Sequence, residues 1–250
     1  MDILILFDDT KKFCILISSV VQVLRRDFPN SDIEISSGDD SCRKLLLHVP
    51  GITNVSQRAS KVKYDIVYCF DDRLSNLSRY SNLKFDKYVG YQIDGSSIKF
   101  TSDLVKDFFY YYCLKESYDG NLLQMIFECF GLNWNREGFK ISYKTRSRSK
   151  EGRNGAAISN DNLRSLVKNN IFNDGSKLWH IPIRQDPLKC IDEVNKCSNI
   201  VTDNIFYAFI GSFLRKKIIF LVEDGCDFNP DIFGDIFVQH VSTQVLYAQD

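Results

Sequence analysis

The feature that most limits what this chain can fold into is a repeating order along it. A short apolar run is followed by a stretch with helical spacing, and then by another apolar run. Residues 2–7 (DILILF) carry no charge after Asp2 and have the length of a strand buried on both faces. Residues 13–27 (FCILISSVVQVLRRD) place apolar side chains at helical spacing, and Phe28-Pro29-Asn30 stops that helix. DIEIS (32–36) is the next strand, a helix is predicted near 39–48, and ITNV (52–55) reads as short and extended. YDIVYCF (64–70) and KYVGYQI (87–93) are two further strands. A parallel strand reaches its parallel neighbour only through a crossover, usually a helix. The alternation therefore predicts a parallel sheet with helices on both faces.

A helix is predicted over 101–114 (TSDLVKDFFYYYCL), capped by Thr101 or Ser102. Its aromatic residues, Phe108 to Tyr112, read as core or packing surface rather than as a membrane face. A second helix over 120–131 ends on Gly131. Residues 144–153 (KTRSRSKEGR) then hold five basic residues, one acid and no apolar residue, the composition of a solvated linker. After it the alternation restarts. GAAIS (155–159), KLWHIPI (177–183), NIVTD (199–203), KIIFLVE (217–223) and a weaker TQVLYA (243–248) read as strands. Residues 160–170 form a helix or loop, PLKCIDEVNKC (187–197) a helix with Pro187 in its first turn, and IFYAFIGSFLR (205–215) a helix. The expected architecture is α/β, with two Rossmann-like doubly wound domains, 1–143 and 154–250, joined by the linker 144–153 and facing each other across a cleft.

Composition narrows the function classes. Lys+Arg and Asp+Glu are both 32, so no global field favours nucleic acid or an anionic membrane. Asp8 interrupts the N-terminal apolar run, no apolar run of about 18 residues occurs, and a signal peptide or transmembrane segment is not expected. The eight cysteines form no Cys-x-x-Cys pair, and the histidines at 48, 180 and 240 complete no metal spacing. The expectation is a cytoplasmic protein with reduced cysteines and no metal.

The chemistry gathers where apolar runs end. ILFDDTKKF (5–13) runs from a strand into Asp8 and Asp9, then Lys11 and Lys12, and then a helix. Ligands of doubly wound proteins lie at the carboxyl ends of strands. Asp71 and Asp72 end the 64–70 strand in the same way. The plainer reading is that Asp8-Asp9-Thr10 caps the helix, the lysines are solvated, and Asp71-Asp72 lies in a polar loop.

Beyond these patterns, the opening MDILILFDDTKKFCILISSVVQVLRRDFPNSDIEI resembles the start of glycosyltransferase family 9, the ADP-heptose:lipopolysaccharide heptosyltransferases. YDIVYCFDD (64–72) is similar to that family's YDLVIDL strand, and KYVGYQIDG (87–95) to its RRIGF strand and turn. CSNIVTDNIFYAFIGSFLRKKIIFLVED (197–224) is similar to its nucleotide-sugar segment. The resemblance implies a GT-B architecture, with the acceptor on the N-terminal domain and the nucleotide sugar on the C-terminal one. It also implies inverting, metal-independent transfer to a glycan, a lipopolysaccharide core or a protein acceptor. No cofactor is implied beyond the nucleotide sugar as co-substrate. The location implied is cytoplasmic, at most peripheral at the inner membrane. A carboxylate would take the acceptor hydroxyl's proton, and backbone amides or a cation would meet the departing diphosphate.

The sequence departs from the family where its chemistry lies. The family's catalytic Gly-Asp pair falls on Lys12 and Phe13, and phenylalanine accepts no proton. A displaced base would be Asp9 or Asp8, with Lys11 or Lys12 towards phosphate and Asp71 and Asp72 towards acceptor hydroxyls. The family's NDTGLMH turn falls on residues 203–209 (DNIFYAF), which leaves Thr202, Asp203 and Asn204 as its polar groups. Its Lys-containing phosphate loop has no clear match in 159–168 (SNDNLRSLVK), where Arg164 or Lys168 would substitute, with Ser159 and Asn160 as further candidate contacts. One alternative is a pseudo-glycosyltransferase that binds or assembles with a partner protein. A second is a polysaccharide pyruvyl transferase-like enzyme, since IVTDNIFYAF (200–209) also resembles that family's VTDRLHGHI, with Asn204 and Phe206 in place of its Arg and His.

Overall fold

The computed structural model describes residues 1–7, 11–70, 80, 82–94, 97–114, 122–135, 137–148, 152–167, 178–223 and 243–248. The chain divides into two compact units, Met1–Ser142 and Tyr143–Asp250.

In the first unit β1 (Asp2–Leu6), β2 (Asp32–Ser36), β3 (Asn54–Ser56), β4 (Lys63–Cys69), β5 (Lys84–Asp94) and β6 (Ser97–Phe100) form one sheet in the order β3-β2-β1-β4-β5-β6. Every pairing is parallel except β5 with β6. Helix α1 (Lys11–Asp27) carries the chain from β1 to β2, and α2 (Asp40–Leu46) from β2 to β3. β1 is central, which is why Ile3, Leu4, Ile5 and Leu6 are all buried and its sequence does not alternate. Helix α1 buries Cys14–Ile17, Val20, Val21, Val23 and Leu24 and stops before Phe28, as expected. Two more helices follow, α3 (Asp103–Leu114) and α4 (Leu122–Cys129). Of the two candidate caps for α3, Ser102 serves: its hydroxyl accepts from the amide of Val105 at 3.2 Å. Thr101 instead accepts from the Gly90 amide at 2.9 Å. Gly131 ends α4 at φ +65°, with its amide donating to Glu128 O and that of Leu132 to Phe127 O, each at 2.9 Å. A stack of Tyr68, Phe130 and Phe70, with Phe108 edge-on to Phe70, fills the space between strand and helices.

One buried carboxylate fastens the β2–β4 region. Glu34 accepts from Ser56 Oγ, the Ser60 amide and Tyr64 OH, each at 2.8 Å, and also from Ser60 Oγ. Burial alone would raise its pKa, but the hydrogen bonds from Ser60, Ser56 and Tyr64 outweigh this and hold it below the ordinary value.

In the second unit β7 (Asn154–Ala157), β8 (Leu178–His180), β9 (Asn199–Thr202), β10 (Lys217–Glu223) and β11 (Thr243–Ala248) are all parallel, in the order β11-β10-β9-β7-β8. Helices α5 (Asp161–Leu166), α6 (Pro187–Asn195) and α7 (Ile205–Phe213) connect them. The core gathers Ala156, Ile158, Leu163, Val167, Val201 and Leu221.

The structure corrects or narrows the sequence reading in three places. Residues 97–100 form an antiparallel edge strand that their four-residue pattern did not signal. Within 160–170, read as helix or loop, Asp161–Leu166 form the short helix α5, with Asn160 Oδ1 accepting from Leu163 N at 3.4 Å, and 168–170 lie outside the described residues. The first part of the expected solvated linker is tied down. Tyr143 OH and the Arg146 amide donate to the Asp192 carboxylate at 2.9 and 2.8 Å, and Asn195 Nδ2 donates to Thr145 Oγ1 at 2.9 Å.

Candidate functional site

A doubly wound sheet binds ligands where its strand order reverses, beyond the carboxyl ends of the two strands that flank the reversal. In the first unit that point lies between β1 and β4, where Leu6 is in register with Cys69. The Phe70 amide donates to Leu6 O at 2.9 Å, so the two strands leave the sheet side by side. Asp8 and Asp9 follow one strand in the sequence, and Asp71 and Asp72 follow the other. All four lie outside the described residues. Lys11, Lys12 and Phe13 stand in the first turn of α1, and of these the structure describes only the backbone.

In the second unit the reversal lies between β7 and β9, where Ala157 is in register with Thr202. Here Ser159, Asn160, Arg164, Thr202, Asp203 and Asn204 are described, and they come together; Lys168 lies outside the described residues. The Asp203 carboxylate accepts from the Ser159 amide through both oxygens at 2.9 Å, and from the Asn160 amide at 2.9 Å. Thr202 is fully buried, donates to Ala157 O at 2.6 Å and accepts from the Asn204 amide at 3.0 Å. Asn204 caps α7 by accepting from the Phe206 amide at 3.0 Å. Arg164 donates from Nη1 to Asp161 at 2.8 Å and from Nη2 to Ile158 O at 2.8 Å. The six residues share one place in the fold: Thr202 and Asp203 join the two turns, while Asn204 and Arg164 bond within their own.

Helix α7 follows from its composition. With mostly apolar side chains, it is driven inward and buries Phe206, Tyr207, Ala208, Phe209 and Ile210. Gly211 admits Ile218 of β10 so closely that a Cβ there would lie 3.0 Å from Ile218 Cγ1. The sequence reading gave Tyr207 no role in this turn. Its hydroxyl donates to Pro182 O at 3.1 Å, accepts from the Arg184 amide at 3.1 Å, and lies 3.2 Å from Cys190 Sγ. Burial first, and then the contact with Cys190, push its pKa well above that of an ordinary tyrosine. It pins the turn between β8 and α6 from beneath. A tyrosine among phenylalanines gives no sequence signal for that.

No protein-family profile matches the sequence, and no curated protein matches it. Solved structures do match it in three dimensions. A family 9 glycosyl transferase from Veillonella parvula superposes with a TM-score of 0.65 at 14% identity, covering 99% of this chain and 86% of that one. The E. coli heptosyltransferase WaaC, solved with ADP, gives 0.59 at 8% identity over 100% of this chain and 91% of its own. E. coli ADP-heptose lps heptosyltransferase II gives 0.58 at 11% identity, covering 98% and 90%. The fold is that of glycosyltransferase family 9. The chain is thus GT-B-like in architecture, with a Rossmann strand order in its first unit and a flavodoxin-like order in its second. Among the described residues, no helix is long and apolar enough to cross a membrane.

Proposed function

We propose that this protein is a divergent GT-B glycosyltransferase, moving a sugar from a nucleotide sugar to a glycan, a lipopolysaccharide core or a protein acceptor in the cytoplasm. The observation behind this reading is end-to-end correspondence with heptosyltransferases, one of them solved with ADP and also with ADP-2-deoxy-2-fluoro heptose. Both halves of the fold are retained, with a strand-order reversal in each. In this reading Asp9 or Asp8 takes the acceptor proton beyond β1, with Lys11 or Lys12 towards phosphate and Asp71 and Asp72 towards the acceptor hydroxyls. The turns at Ser159–Asn160 and Thr202–Asn204 receive the nucleotide sugar, with Arg164 beside them. Fold alone does not fix function, so the residues must carry the test.

One observation favours a second reading, a non-catalytic relative that binds or assembles with a partner. The Ser159 and Asn160 amides already serve Asp203, and the first turn of α7 presents Ile205 and Phe206 where the family has polar and small residues. A diphosphate at this turn would compete with an internal carboxylate. Calorimetry of the full chain with ADP, UDP, GDP and CMP, and with their sugars, separates the two. Micromolar binding with protection of amides 202–209 from hydrogen exchange supports the transferase. No binding to any of them supports the second reading.

A further inference from the structure

The basic stretch that the sequence offers as a linker is anchored at both ends within the second unit. The division between the units falls between Ser142 and Tyr143. Up to that point the chain bonds to the first unit, the Lys140 amide donating to Ser18 Oγ at 3.2 Å and the Ser142 amide to His48 O at 2.6 Å. The very next residue bonds to the second unit: Tyr143 OH donates to Asp192 Oδ2 at 2.9 Å. The Arg146 amide donates to Asp192 Oδ1 at 2.8 Å, and Ser147 Oγ to Asp192 O at 2.6 Å. Asn195 Nδ2 donates to Thr145 Oγ1 at 2.9 Å and to Ser147 O at 2.7 Å. Just before β7, Arg153 O accepts from the Ser198 amide at 2.8 Å, and the Arg153 guanidinium lies over the Trp179 ring.

Residues 143–147 thus lie on α6 as a strap. Tyr143, Thr145 and Ser147 are half-buried, while Lys144, Arg146 and Arg148 are exposed, so every second side chain turns inward. Their partners Asp192 and Asn195 stand three positions apart, on one face of α6. The helix holds to its own unit by other residues, since Pro187, Cys190, Ile191 and Val194 are the ones it buries. Among the described residues, Asp192 accepts three hydrogen bonds from the strap and Asn195 gives two. Two of the three reach a carboxylate, and bonds to a charged group are the stronger kind. A short segment held by a few such bonds opens locally, at a lower free energy than the whole fold.

We propose that Asp192 and Asn195 form a latch that holds the strap down, and that opening it lengthens the connection between the two units. With the latch closed, consecutive residues are anchored in different units, Ser142 in the first and Tyr143 in the second. With it open, the next described anchor is Arg153, and the connection gains the chain between them. The latch stands on the strap alone, whether or not the protein transfers sugar. Trypsin tests it on the full chain, because the bonds after Lys144 and Arg146 can enter a protease only when the strap has left α6. Losing one hydrogen bond to a charged group shifts the opening equilibrium about tenfold. Asp192→Ala should therefore speed cleavage after Lys144 and Arg146 at least about tenfold. The Arg146 amide should also lose protection from hydrogen exchange, while the Ser142 amide keeps its own. Asn195→Ala, a substitution that favours the helix, should speed the same two cleavages at an unchanged melting temperature, and it carries the test if Asp192→Ala disturbs folding. Cleavage at these sites no faster in either variant than in the unaltered chain would overturn the proposal. Equal loss of protection at Ser142 and Arg146 in well-folded Asn195→Ala would do the same, since the strap would then not open by itself.

Discussion

Replacing Asp203 by alanine tests the central feature of the second unit, a carboxylate that ties two turns together across the strand-order reversal. The structure supplies the magnitude. Ser159 N contacts both oxygens at 2.9 Å and counts as one shared bond, and Asn160 N gives a second at 2.9 Å. Hydrogen bonds to a charged group contribute roughly 1.5–3 kcal/mol each, so the simple sum is about 3–6 kcal/mol. Ser159 is exposed, however, and water replaces its lost partner, whereas Asn160 is half-buried. The expected loss is therefore about 2–3 kcal/mol for Asp203→Ala, and about half that for Asp203→Asn, which keeps one carbonyl acceptor. Urea unfolding measures the loss, and amide hydrogen exchange locates it: Ser159 and Asn160 should lose protection while the β7 amides keep theirs. A change under about 0.5 kcal/mol, or unaltered protection at 159 and 160, would refute the clamp, since surface substitutions without a specific role fall in that range.

Three further outcomes are expected. Gly90 has φ +133°, and a Cβ there would stand 2.1 Å from Cys69 O, so Gly90→Ala should cost at least about 3 kcal/mol by thermal melting, through backbone strain and a displaced β4–β5 ladder. Glu34→Gln should cost about 1–3 kcal/mol near neutral pH. Because the folded pKa of Glu34 lies below its ordinary value of 4.5, its charged form stabilises the fold above that value, and the advantage over Gln should close as pH falls through the folded value in a series of urea melts. If the chain transfers sugar, Asp9→Asn or Asp8→Asn should lower turnover about 10²–10⁴-fold at unchanged stability, and full turnover in both variants would remove the displaced base.

Much of the fold was legible because it is written locally. Continuous apolar runs give strands buried on both faces, and helical spacing marks α1, α6 and α7. The stop at Phe28-Pro29, Pro187 in the first turn of α6 and Gly131 past α4 each act within a few residues of where they stand. Local signals also pointed to the strand ends as the place of any site, since ligand position follows from strand direction. The antiparallel β6 escaped notice because four residues carry too little periodicity to tell a strand from a loop.

What these polar residues do was decided by partners far away in the sequence. Asp203 meets the Ser159 amide only because β7 and β9 are neighbours, with Ala157 opposite Thr202, although the two residues are 44 positions apart. Tyr143 and Asp192, 49 positions apart, tie the start of an apparently free basic linker to α6. The sequence states which side chains could accept, donate or carry charge. Strand order and register decide which of them meet, because a slip of one residue turns every side chain of a strand to its other face.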